Sequence, residues 1–141
     1  MAHNLYKYKK IGDYWRPLLP ISLKNKDKEF SYLALLDSGA DFNIFHEEIA
    51  EVLGLDLSDT APIKIGGINA DEPITGKVTK ITLGIRPYEN ATICHYFSNE
   101  ALVIFSPDIS QNGYGVFGQL GFFEYFNIRM TYKTKGIKIG W

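Results

Sequence analysis

The chain has 141 residues, a length that suits a single domain, since most domains contain about 100–150 residues. Its 45% hydrophobic and 22% charged residues exclude an intrinsically disordered chain. Fifteen lysines and arginines against sixteen aspartates and glutamates give a net charge of -1, which excludes a generally basic protein and argues against nucleic acid or a membrane as a partner.

The start of the chain predicts no targeting segment. Residues 1–10 lack the apolar core of a signal peptide, and no stretch approaches the roughly 20 apolar residues of a membrane span. Cys94 is the only cysteine, so an intrachain disulfide is excluded and a reducing compartment is allowed. We therefore expect a cytoplasmic protein, in which residues 1–14 form a mobile segment or an edge strand before a domain at residues 15–141.

The first half of the chain predicts a β-hairpin followed by a helix. Apolar residues alternate with other residues at 19–23, which is the period of a half-buried strand. A polar turn at 24–28 leads to an apolar run at 30–36, the second strand. Residues 46–53 predict a short helix that ends before Gly54. Its apolar face would contain Ile49, Val52 and Leu53.

The second half predicts further strands and one more helix. Strands are predicted at residues 63–65, 77–85, 92–97, 102–105, 128–132 and 137–139. A glycine-rich loop at 66–76 separates the first two of them. The spacing of Leu120, Phe123 and Phe126 predicts a helix at 119–126. The sequence therefore predicts an all-β domain with two short helices.

The strongest chemical signal is Asp37-Ser38-Gly39, where an apolar strand ends abruptly in a carboxylate, a hydroxyl and a glycine. A tight turn at the end of a rigid strand holds an ionisable group in place. Gly39 lets other backbone approach closely, and the Ser38 hydroxyl can hydrogen-bond to a neighbouring segment. These three residue types are also typical of ordinary turns, so the motif alone does not identify a catalytic site.

In its context, the motif resembles that of the retropepsin-like aspartic peptidases. Asp37-Ser38-Gly39-Ala40 follows an apolar strand, a glycine-rich hairpin comes about 30 residues later, and Val116-Phe117-Gly118 follows in the same order as in that family. The resemblance covers nearly the whole chain and is greatest to the single-domain bacterial and archaeal members, which are similar to retroviral proteases. It implies a closed, barrel-like β lobe with a flap hairpin and a psi loop.

The resemblance also implies roles for particular residues. Asp37, Ser38 and Gly39 would form the catalytic turn, and Gly118 would belong to the psi loop beneath it. Arg16 resembles an arginine of retroviral proteases that pairs near the dimer interface with the aspartate after the catalytic turn, here Asp41. Where retroviral enzymes usually have arginine after the psi-loop glycine, this chain has Gln119, which predicts a reduced ion-pair network.

A chain of this family with one Asp37 carries half of an active site. Peptide hydrolysis by this family needs two carboxylates, one to take a proton from water and one to donate a proton to the scissile carbonyl. The resemblance therefore implies a homodimer that cleaves extended polypeptide without a metal or cofactor, with Asp37 of each chain in one dyad. The expected substrate-binding residues are Ala40, Gly67, Ile68, Ile74 and Phe117.

Three other interpretations compete with this one. The scaffold could be a non-catalytic module for dimerisation or peptide binding, because a fold alone does not establish activity. His46-Glu47-Glu48-Ile49-Ala50 begins like a zinc-protease helix, but Ala50 stands where the second histidine is needed, so we interpret it as a solvated helix start. For Cys94, packing in a buried strand is favoured over a nucleophilic or metal-binding role.

Overall fold

The computed structural model describes residues 2–66, 73–94, 96–109 and 113–141. Strands dominate these residues, as the alternating apolar pattern predicts. In chain order they are β1 His3–Lys7, β2 Lys9–Ile11, β3 Tyr14–Arg16, β4 Leu18–Asn25, β5 Lys28–Leu36, β6 Ile44–His46, β7 Ile63–Ile65, β8 Ile74–Ile85, β9 Tyr96–Ser106, β10 Gly115–Phe117, β11 Asn127–Thr131 and β12 Gly136–Gly140. The all-β prediction is confirmed.

The main sheet closes on itself. Its seven strands have the order β4-β5-β10-β6-β9-β8-β7, and β4 also pairs with β8 over Ile21↔Ile85 to Lys24↔Thr82. This extra pairing joins the two sides of the sheet, so that the β4–β5 hairpin forms part of a barrel. The apolar side chains of the strands face its interior, where Phe45, Phe105 and Phe117 are almost completely buried. The predicted closed lobe is confirmed.

Two smaller sheets contain the ends of the chain. Strand β1 pairs antiparallel with β12, and β12 pairs antiparallel with β11, which gives the order β1-β12-β11. The predicted C-terminal hairpin is therefore confirmed. Strands β2 and β3 form a ribbon of their own from Lys9↔Arg16 to Ile11↔Tyr14. The domain boundary predicted between residues 14 and 15 falls within β3, and β1 lies at the edge of its sheet.

One predicted helix is present and the other is much shorter. Helix α1 spans Glu47–Val52, with His46 as its N-cap. Ile49, Ala50 and Leu53 are buried, but Val52 is 52% exposed, so the prediction that Val52 faces the core is wrong. In place of a helix at 119–126, the chain forms one 3₁₀ turn at Phe123–Tyr125. Gly121 has φ +97°, which an α-helix cannot accommodate.

The strands predicted at 92–97 and 102–105 are not separate, because residues 96 and 97 belong to the same strand as 102–105, and residues 92–94 lie in no strand. Strand β9 runs through the polar residues 98–100 because β8 pairs with it on both sides of a register shift between Ile81 and Leu83. The prediction of a break here was wrong because polar residues in a strand can lie on its solvent side. No helix among the described residues is long and apolar enough to cross a lipid bilayer.

Candidate active site

Asp37 lies immediately after β5, in a turn held by backbone hydrogen bonds. The Asp37 N–H donates to the Phe117 carbonyl at 3.0 Å, and the Ala40 N–H donates to the Asp37 carbonyl at 3.1 Å. The Gly39 N–H donates to Asp37 Oδ1 at 2.9 Å, which orients the carboxylate within its own turn. Asp37 is half-buried, whereas Ser38 and Gly39 are exposed. The strand therefore ends in a carboxylate of fixed orientation at an open surface.

A second segment of chain passes beside this turn and supports it. Strand β10 pairs parallel with β5, in a register that places Phe117 opposite Leu36, and Val116 pairs antiparallel with Ile44 of β6. Parallel pairing of strands so distant in sequence is decided by tertiary structure, since it needs a long crossover connection. This arrangement has the form predicted for the psi loop, and it places β10 between the strand before Asp37 and the strand after it.

Gly118 is the point where the two segments come closest. A Cβ atom at this position would lie 2.6 Å from both the backbone N and the carbonyl C of Phe42. Any residue larger than glycine would push β10 away from the loop that follows Asp37. The Gln119 N–H then donates to the Ala40 carbonyl at 2.9 Å, and the Leu120 N–H donates to the Asp41 carbonyl at 2.8 Å.

Asn43 is a support residue that the sequence analysis missed. Its side chain is completely buried. Its Oδ1 accepts a hydrogen bond from the Gly118 N–H at 3.1 Å, and its Nδ2 donates to the Leu102 carbonyl at 3.0 Å. Both ends of the amide are thus hydrogen-bonded, which ties the loop after the Asp37 turn to β9 and to the residue that follows β10. The only sequence feature that could have indicated Asn43 is its position as a polar residue directly before the apolar strand β6.

Gln119 occupies the position where an arginine was expected from the retroviral pattern. Its side-chain Nε2 donates to the Ser38 carbonyl at 2.7 Å. Gln119 therefore holds the turn by a neutral hydrogen bond from its side chain and a second one from its backbone. Arg16 and Asp41 form no ion pair with each other within the described part of this single chain, and the Arg16 guanidinium lies 5.6 Å from the centre of the Tyr14 ring.

The residues expected to bind substrate have different surroundings. Ala40 and Ile74 are half-buried and border on open space, whereas Gly67 and Ile68 lie outside the described residues. Phe117 is fully buried and stacks on Phe122 with 4.0 Å between the ring centres, so its side chain belongs to the core and not to an accessible wall. Val116, which is half-buried, points to the opposite side of the same strand.

The base of the predicted flap is anchored by the last residue of β9 and by a residue shortly after it. The Ser106 hydroxyl, which is fully buried, donates to the Thr75 carbonyl at 2.5 Å, and Asp108 Oδ2 accepts from the Thr75 N–H at 2.7 Å. Strands β7 and β8 pair from Ile63↔Gly76 to Ile65↔Ile74, which makes them the two arms of a hairpin. Residues 67–72, which connect the two strands in the chain, lie outside the described residues.

Among the described residues, three other features do not form a second candidate site. A cavity of about 670 Å³ contains Arg86, but this buried side chain already donates to the carbonyls of Ile21 at 3.1 Å and Glu89 at 2.6 Å. Cys94 is half-buried and lies before β9, so the prediction that it packs in a buried strand is wrong. Burial raises the pKa of its thiol, which disfavours a nucleophilic thiolate. The described residues contain no group of three histidine, cysteine or acidic side chains that could hold a metal.

Comparison with known proteins supports the fold that these contacts describe. No protein-family model matches the sequence, and no curated protein sequence matches it. Among solved structures, the chain is similar to a retropepsin-like aspartic protease from Rickettsia conorii, with a TM-score of 0.61 and 10% sequence identity. The match covers 98% of this chain and 92% of that chain. The chain therefore has the all-β, single-lobe fold of a retropepsin-like aspartic protease.

Proposed function

We propose that the protein is an aspartic endopeptidase that acts as a homodimer. The observation that carries this proposal is the position of Asp37, a half-buried carboxylate at an open surface, oriented by the Gly39 N–H and supported by β10. A carboxylate held in this way presents its oxygens to a bound substrate in one fixed orientation. The fold shared with a retropepsin-like aspartic protease is consistent with this chemistry.

The proposed reaction needs Asp37 from two chains. A two-fold axis beside the exposed Ser38 and Gly39 would bring both Asp37 carboxylates to one bound water. Two carboxylates about 3 Å apart share one proton. The unprotonated carboxylate takes a proton from the water while the water oxygen attacks the carbonyl carbon of the peptide bond. The protonated carboxyl group donates its proton to the carbonyl oxygen. When the C–N bond of the tetrahedral intermediate breaks, the leaving nitrogen takes a proton from one carboxyl group of the dyad, and a hydroxyl of the intermediate gives a proton to the other, so that the dyad again holds one proton.

The residues around Asp37 have supporting roles in this proposal. The Ser38 hydroxyl is exposed and would hydrogen-bond across the two-fold axis, so that each turn supports the other. An extended polypeptide would lie between the dyad and the flaps, bound through main-chain hydrogen bonds in the manner of an added strand. Ala40, Ile74 and Val116 would form apolar walls, with Val116 in the place first predicted for Phe117. Gly67 and Ile68 are still predicted to contact the substrate from the flap.

The test of this function relates cleavage to association. Light scattering measures the fraction of dimer across a dilution series, and casein cleavage is followed in the same samples from acid to neutral pH. Because one chain carries one Asp37, we expect the rate per chain to fall in proportion to the dimer fraction. A monomer that cleaves casein at full rate would contradict the shared dyad. A stable dimer that does not cleave at any pH would favour the non-catalytic binding module.

Gln119 provides a test of how the turn is held. Because its amide donates to the Ser38 carbonyl, Gln119→Ala is expected to lower kcat for casein cleavage about tenfold and to leave KM nearly unchanged. Gln119→Glu has a similar size but cannot donate, so it should lose at least as much activity. Gln119→Lys restores a donor and should recover part of kcat. A Gln119→Ala enzyme with the wild-type kcat would exclude a positioning role.

A further inference from the structure

The sheet formed by β1, β12 and β11 has one face that the core does not use. Ile137 and Ile139 of β12 are buried, so Lys138 between them points outward. The register places Lys138 between Leu5 of β1 and Arg129 of β11, and these three residues form a row across the sheet. Lys7 lies two residues further along β1. We call this outward surface, with Lys7, Arg129 and Lys138, the basic face.

No carboxylate of the described residues forms an ion pair with the cations of the basic face. None of the fifteen residues in its three strands is an aspartate or a glutamate. Among the described residues, Lys7, Arg129 and Lys138 have no ion-pair partner, and Glu124, just before β11, already accepts a hydrogen bond from the Gly121 N–H at 2.6 Å. Like charges directly opposite each other on neighbouring strands destabilise a sheet, and Arg129 and Lys138 are such a pair. An anionic ligand would remove this repulsion.

The shape of the basic face provides places for ligand side chains. Gly136 and Gly140 stand on either side of Lys138 on the outward side of β12 and have no side chains to fill the surface. Two depressions result, of about 400 Å³ beside Gly136 and about 460 Å³ beside Gly140, separated by Lys138 and Arg129. Lys7 lines the first depression. The exposed side chain of Leu5 adds an apolar contact at its border.

We propose that the basic face binds an extended, acidic polypeptide segment. Successive outward rows of a sheet are about 6.7 Å apart, which is also the distance between alternate side chains of an extended peptide. Carboxylates at alternate positions of the segment would therefore reach Lys7 and the Arg129–Lys138 pair together, with their side chains over the depressions and the intervening side chains pointing away from the sheet. This binding is independent of the proposed catalysis, because none of these residues belongs to the Asp37 turn or its supports.

Charge distinguishes this partner from two others. A second copy docked face to face would bring six cations together, so the face does not suit self-association. A nucleic acid would be attracted by a generally basic protein, but the net charge here is -1, and three cations can neutralise only a few phosphates. A short acidic segment matches the size and the charge of the face.

The test uses a peptide of roughly ten alternating glutamate and threonine residues, labelled with an uncharged fluorophore. Fluorescence anisotropy measures its binding to the whole chain at about 50 mM salt, and mass spectrometry verifies that the peptide stays intact. We expect the double variant Arg129→Gln/Lys138→Gln to raise Kd about tenfold. The variant should also melt at a higher temperature, because the like-charge pair is gone. Lys80→Gln, which removes an exposed lysine of β8, should bind like wild type.

Four outcomes would overturn the proposal. The first is equal binding of a peptide in which glutamine replaces every glutamate. The second is an equal loss of affinity in Lys80→Gln, which would indicate unspecific attraction. A third is tighter binding of a single-stranded oligonucleotide of similar length. The last is a change of oligomeric state in the double variant, which would make the face an interface between copies. A wild-type protein that does not cleave casein would contradict the proposed peptidase activity and would leave the proposed peptide binding untouched. The two proposals can therefore fail separately.

Discussion

Replacement of Asp37 by asparagine is expected to lower the rate of casein cleavage about 10³-fold, because the amide can neither take a proton from water nor supply one to the carbonyl oxygen. This substitution is expected to change the chemistry of residue 37 without disturbing the turn around it. Asparagine is nearly the same size, and its Oδ1 can still accept the hydrogen bond that the Gly39 N–H donates at 2.9 Å. The dimer and the unfolding temperature should therefore stay close to those of wild type.

The matched control for this variant is Asp59→Asn. Asp59 is an exposed aspartate in a turn far along the chain from residues 37–44, and its replacement should change neither cleavage nor size. The measurements are kcat for casein, molar mass by light scattering and the unfolding temperature of each variant. Wild-type activity in Asp37→Asn would show that cleavage comes from another site. A variant that is inactive only because it is monomeric would assign Asp37 a role in assembly.

Replacement of Gly118 by alanine is expected to destabilise the protein by about 3 kcal/mol. The added Cβ would lie 2.6 Å from two backbone atoms of Phe42, and backbone cannot move aside as a flexible side chain can. Separation of these segments would also weaken the hydrogen bond from the Gly118 N–H to the buried Asn43. Because the same contact supports the Asp37 turn, cleavage should fall together with stability.

Gly66→Ala is the matched control for Gly118→Ala. Among the described residues, no heavy atom lies within 4 Å of a Cβ atom placed at position 66, and the φ of Gly66 lies outside the left-handed range. Its alanine variant should unfold at the same urea concentration as wild type or at a slightly higher one, since alanine restricts the unfolded chain. Circular dichroism monitors the urea unfolding of all three proteins and gives the midpoint urea concentration of each. Equal midpoints for Gly118→Ala and wild type would exclude the close approach of β10 to Phe42.

The sequence predicted best where a local pattern was sufficient. The β4–β5 hairpin, strand β7 and the C-terminal hairpin follow from alternating apolar residues and polar turns, and the structure confirms them. The sequence predicted less well those elements whose conformation depends on contacts with residues distant in the chain. The spacing of Leu120, Phe123 and Phe126 is helical, but burial of Phe122 against Phe117 and the positive φ of Gly121 leave only a 3₁₀ turn.

The same distinction between local pattern and distant contact applies to the residues of the candidate site. Asp37-Ser38-Gly39 could be proposed from the sequence because an apolar strand that ends in a carboxylate is a local pattern, and in its context this pattern resembles the turn of retropepsin-like peptidases. The supports could not be identified, because Asn43, Gln119 and Ser106 act on residues far away in the chain. Phe117 was assigned to a substrate wall from its motif alone. Its orientation depends on the barrel interior, which a motif does not describe.

The sequence by itself determined the strand-rich composition, the turn that carries Asp37 and the presence of one such carboxylate per chain. These properties follow from residue order over a few positions. Only the tertiary structure decided that β10 lies parallel to β5 and that β4 closes the barrel against β8. It also decided that Lys7, Arg129 and Lys138 share one face. The physical reason is that pairing between distant strands depends on burial and register, which emerge when the whole chain packs together.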